Sequence, residues 1–72
     1  MSKEEAIEIA KREVGFEPCP QQQCVVVRFL QRGIPIHGFW LVGLAESLDE
    51  QGNPTRFRNV LVDVQTGAVS RP

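Results

Sequence analysis

The chain has 72 residues, 42% of them hydrophobic, with eight basic and nine acidic side chains and a formal net charge of −1. That length supports a single small domain spanning 1–72, near the size at which burial barely outweighs chain entropy, and it leaves little room for a deep catalytic cavity in a monomer. The apolar content excludes global disorder, the balanced charge argues against wholesale attraction to nucleic acid or anionic lipid, and no apolar run approaches the length of a membrane span.

The first predicted element is a helix over residues 2–14. Ser2 and Glu5 stand in the S-x-x-E arrangement, in which the hydroxyl caps an amide of the first turn and the glutamate reaches back. Ala6, Ile7, Ile9, Ala10 and Val14 then fall within one arc at helical spacing, with Glu4, Glu8, Lys11 and Arg12 opposite. Glu8 and Arg12 are four apart in the favourable order for an ion pair. Gly15 suits the position just past the helix end, and Pro18 prevents resumption. The N-terminus therefore reads as a polar helix start rather than a basic-then-apolar leader, and a cytoplasmic location is expected.

Residues 16–23 form a connector with two prolines and three consecutive glutamines. Residues 24–31 follow as a strand, with Val25, Val27 and Phe29 on one face and Val26, Arg28 and Leu30 on the other. The stretch 31–38 is punctuated enough to be a loop or irregular edge. Residues 39–44 give the next strand, with Phe39 and Leu41 opposite Trp40, Val42 and Leu44. A strong turn signal over 49–54 leads to a strand over 57–64, and Gln65-Thr66-Gly67 turns the chain into a short final strand at 68–70. One helix followed by an antiparallel meander of three to four strands is an α+β layout, helix packed on sheet.

Three of these strand segments, 24–30, 38–45 and 57–64, are apolar on both faces, yet only one helix is available as a cover. Either the Trp40, Val42 and Leu44 set or the Phe39 and Leu41 set must then find cover elsewhere, in a partner, a second copy of the chain, or the 31–38 and 45–56 loops. These five residues are the candidate interface.

The opening Ser-Lys-Glu-Glu-Ala-Ile-Glu-Ile-Ala-Lys, the lone Trp40 on a middle strand and the closing Val-Leu-Val-Asp-Val-Gln-Thr-Gly-Ala-Val resemble PepSY domains, small helix-then-strands modules of metallopeptidase propeptides and bacterial envelope proteins. The corresponding positions are the helix seam at Ala6, Ile7 and Ala10, then Trp40, Asp63 and Thr66-Gly67. The resemblance implies structural rather than catalytic roles for them and a non-enzymatic binding or inhibitory module. Turn chemistry alone also accounts for Asp63 and Gly67, as acceptor for backbone amides and as a residue free to take positive φ.

Candidate chemistry is sparse. Cys19 and Cys24 have too many intervening residues for a thioredoxin-type pair, and in a cytoplasmic protein both are expected as free thiols. A disulfide would close only a short loop, and a metal would need His37 and scattered carboxylates to complete its ligand set. His37 has no companion motif of a hydrolase or metallopeptidase. Glu46, Asp49 and Glu50 cluster at a turn, where solvated carboxylates are ordinary. Arg56-Phe57-Arg58 places two cations around an aromatic, superficially suited to phosphate contact and stacking. The leading expectation is a protein-interaction module without cofactor or metal, binding another protein or a second copy of itself. The alternatives are a small-ligand or metal-binding domain using Cys19, Cys24 and His37, and a weak nucleic-acid binder through Arg56, Phe57 and Arg58.

Overall fold

The capping residues act as their spacing predicts. In a computed structural model describing residues 1–72, helix α1 spans Lys3–Val14 and carries a full capping box. The Glu5 amide donates to Ser2 Oγ at 3.1 Å, and the Ser2 amide donates to the Glu5 carboxylate at 3.4 Å. Gly15 closes the helix in the left-handed region at φ 78°, donating its amide to the Lys11 carbonyl. The expected Glu8–Arg12 pair is replaced. Lys11 lies between Glu8 at 3.4 Å and Glu17 at 3.7 Å, reaching an acid from the connector as well as one from its own helix.

After the connector, a single 3-10 turn at Gln22–Cys24 leads into six strands: β1 (Val25–Arg32), β2 (His37–Leu44), β3 (Ser47–Leu48), β4 (Pro54–Thr55), β5 (Arg58–Asp63) and β6 (Val69–Ser70). The main sheet is antiparallel in the order β1-β2-β5-β6, and β3 and β4 form a separate two-stranded hairpin between its second and third strands. The fold is α+β, one helix packed on an antiparallel sheet. No helix is long and apolar enough to cross a membrane.

The stretch 31–38 is more regular than expected. Pairing runs unbroken from Val25 opposite Leu44 to Arg32 opposite His37, so Gly33–Ile36 is a tight hairpin end. Gly33 takes φ 92° there, a conformation that glycine adopts without steric cost. Eight residues at ~3.4 Å each make this hairpin ~27 Å long, against ~18 Å for the twelve-residue helix. It consequently overshoots the helix, and the molecule is elongated, 44 × 19 × 18 Å.

Register decides which face the helix covers. Val27, Val42 and Val60 form one row across the sheet, and Phe29, Trp40 and Val62 form the next. Val42, Leu44, Val60 and Val62 pack with Ala6 and Ala10 as the core, with Ile7, Val14, Phe16, Val25, Val27 and Trp40 around it. Both alanines are fully buried, and their small side chains let the helix backbone approach the sheet closely. Each fully buried valine or leucine contributes ~1.5–3 kcal/mol relative to exposure. The helix lies over β2 and β5 and reaches β6, so β1 stays at the margin of the covered area.

Candidate interaction face and sheet edge

The candidate interface residues divide between the two faces. Val42 and Leu44 are fully buried beneath α1, and Trp40 is half-buried on the same side. Trp40 meets Phe29 edge-on at 5.2 Å between ring centroids, and its Nε1–H donates to the Met1 carbonyl at 3.4 Å. Val42 and Leu44 therefore leave the candidate interface, covered by the helix, and Trp40 lies at the margin of the core against Phe29 and Met1. Phe39 and Leu41 lie on the opposite face and are half-buried.

That outer face is built from alternate residues of the three long strands. Leu30, Phe39 and Asp63 form one row, Arg28, Leu41, Leu61 and Ser70 the next, and Val26, Gly43 and Asn59 the third. Leu61, central in its row, is only 5% exposed, whereas Val26 is 44% exposed. Phe57 turns back over the third row, and its ring occupies the space where a Cβ on Gly43 would stand. Gly43 is therefore the seat of an aromatic side chain, and Phe57, which stands just before β5 rather than in the expected strand or in the 45–56 loop, covers part of the outer face. The 31–38 stretch covers none of it, because it continues the sheet as a projecting hairpin. At its tip Ile34 is fully exposed and Ile36 is 70% exposed.

The edge of β1 is a second feature. Ala45 donates its amide to the Cys24 carbonyl at 2.9 Å. Antiparallel alternation then turns Val26, Arg28 and Leu30 toward β2, while Val27, Phe29 and Gln31 point their N–H and C=O groups away from the sheet. None of these outward groups has a partner in the chain. The opposite edge is β6, only two residues long.

The cysteines are joined. Cys19 and Cys24 form a disulfide with Cα atoms 5.5 Å apart, and no cysteine is free, which corrects the expectation of two reduced thiols. The backbone explains their approach. Cys19 donates its amide to the Ala45 carbonyl at 3.1 Å, and Ala45 donates to Cys24, so both cysteines are held against the end of β2. His37 stands at the other end of the β1–β2 hairpin, ~25 Å away at strand rise, so the proposed trio of Cys19, Cys24 and His37 does not assemble. No three His, Cys, Asp or Glu side chains gather at a point that could hold a metal ion.

The remaining candidates take local roles. Asp63 accepts from the amides of Gln65 at 2.8 Å and Thr66 at 3.2 Å, and Gly67 sits at φ 76°, as turn chemistry requires. Asp49 does the same for Gln51 and Asn53 in the β3–β4 turn. Arg56 pairs with Glu46 at 2.7 Å, Arg58 donates to the Phe57 carbonyl at 3.0 Å, and the Phe57 ring lies against Gly43. Surface depressions of about 110 to 290 Å³ fall below the range of ordinary small-molecule pockets. Compared with family models, curated proteins and solved structures, the chain matches none.

Proposed function

We infer that this chain is a non-enzymatic protein-interaction module, as its resemblance to PepSY domains implies, and that it binds through the sheet surface left open by the helix. One observation carries this reading. The helix takes the Val42, Leu44, Val60 and Val62 face, while Val26, Leu30, Phe39 and Leu41 remain at least partly accessible on the other. Accessible apolar surface continuous with an unpaired strand edge is the usual ground for association. Association costs ~4–15 kcal/mol in lost freedom, so a half-covered face of this size supports a weak complex unless backbone hydrogen bonds contribute.

Compartment belongs to the same reading. A disulfide persists in oxidising surroundings and is reduced in most cytosols, so a cytoplasmic location requires the Cys19–Cys24 pair to open there. Envelope placement, as in many PepSY proteins, keeps it closed.

A photo-crosslinking residue at Phe39 or Val26, compared with one at Gln51, tests the interaction. A discrete adduct from the two sheet positions and none from Gln51, with the Phe39 adduct lost in a Val26→Arg background, is the expected result. A chain that stays monomeric at all concentrations and yields no discrete adduct from either sheet position would refute it.

A further inference from the structure

The free edge of β1 has a chemistry that selects what can pair with it. Natural edges are blunted by brevity, proline, bulges or charge. β6 is short, but β1 is eight residues long, contains no proline and pairs with β2 without a bulge. Its protection is two arginines, Arg28 and Arg32. Residues 18–45 contain these two and His37 but no aspartate or glutamate, so the whole β1–β2 hairpin is cationic in a chain that is acidic elsewhere.

The two sides of this edge differ. Arg28 and Arg32 project on the outer face with Val26 and Leu30 between and beside them. Val25, Val27 and Phe29 project on the helix face at the margin of the core, Val25 and Val27 half-buried and Phe29 51% exposed. A strand added to this edge therefore meets cations on one side and an apolar strip on the other.

We propose that β1 is a strand-addition site for an extended segment of another protein that alternates acidic and apolar residues, its carboxylates facing Arg28 and Arg32 and its apolar side chains facing Val27 and Phe29. The N–H and C=O groups of Val27, Phe29 and Gln31 supply the backbone ladder, and side-chain alternation supplies selectivity. A second copy of the chain is the poorer occupant. Any two-fold antiparallel register that keeps most of β1 paired sets Arg28 or Arg32 opposite or diagonal to an arginine of the copy, and like charges at those positions repel. The proposal rests on the protein-interaction reading and names the partner's chemistry.

The test uses the full oxidised chain, isotope-labelled for NMR, titrated with a capped heptapeptide Glu-Val-Glu-Ile-Glu-Val-Glu. Two controls are the same peptide N-methylated at alternate residues and its counterpart with lysine for glutamate. The expected result is chemical-shift change and slowed amide exchange at Val27, Phe29 and Gln31, weakening with salt and weaker by about tenfold or more in Arg28→Glu and Arg32→Glu. Both arginines are exposed, and the peptide controls need no variant at all. No shift at millimolar peptide, or equal binding of the N-methylated or lysine peptide, overturns the proposal. So does self-association of the free chain through β1. Shifts confined to Phe39, Leu41 and Leu61 overturn the edge while leaving the wider interaction reading standing.

Discussion

Reducing the Cys19–Cys24 bridge should remove a substantial share of this domain's stability. The bridge spans a sequence separation of 5, and the chain-entropy relation for so short a loop gives ~2 kcal/mol at 25 °C. A chain of this length is expected to hold only ~4–11 kcal/mol in total, so the loss is large in proportion. The bridge also secures the helix exit, because Cys19 and Cys24 both hydrogen-bond to Ala45 at the end of β2. Urea unfolding followed by the fluorescence of Trp40, with and without reductant, measures the effect directly. The unfolding free energy should fall by ~2 kcal/mol on reduction. The Cys19→Ala/Cys24→Ala variant should be indifferent to reductant and somewhat less stable than the reduced chain, since the Cys24 side chain is fully buried and its truncation leaves a void. Coincident transitions with and without reductant, together with two titratable thiols in the unreduced protein, would show that the bridge does not form.

Other substitutions test the local arguments by the same unfolding assay. Ser2→Ala removes the side chain that accepts the Glu5 amide and should cost ~1 kcal/mol, and an unchanged midpoint would mean that the capping box does not form in solution. Ile7→Ala should cost ~2 kcal/mol, at the lower end for a large aliphatic residue because Ile7 is only half-buried beside the core. Gly43→Val should cost ~1–3 kcal/mol by driving the Phe57 ring off the outer face, and Phe57→Ala in the same background should recover part of that loss. Gly67→Ala should cost more than ~1 kcal/mol because the residue sits at φ 76° in the β5–β6 turn.

Elements with local causes were legible in the residues, and those with long-range causes were not. Ser2, Glu5 and Gly15 act within one helical turn of the groups they satisfy, so α1 is readable to within a residue. Asp63 and Gly67 likewise act within their own turn. Alternation in 24–31 and 39–44 correctly paired Val27 with Phe29 and Trp40 with Val42, but period alone is symmetric and leaves open which face takes the helix. That choice depends on register across three strands. The 31–38 end of the β1–β2 hairpin reads as a loop because Gly33 and Pro35 are turn residues, and nothing local shows that pairing continues to Arg32 and His37. Phe57 over Gly43 is a contact between two loop-separated positions; a glycine inside a strand was the available signal, since it often marks a close approach. The disulfide is not legible in the spacing of Cys19 and Cys24, because Ala45, distant in sequence, holds both cysteines together.

The helix satisfies one face of the sheet while β1 remains an open edge. Residue-resolved amide hydrogen exchange on the oxidised chain tests it most directly. Val26, Arg28 and Leu30, which face β2, should exchange slowly, and Val27, Phe29 and Gln31 should exchange at nearly unprotected rates. Equal protection of both sets at low protein concentration would mean that the edge of β1 is already covered and not open.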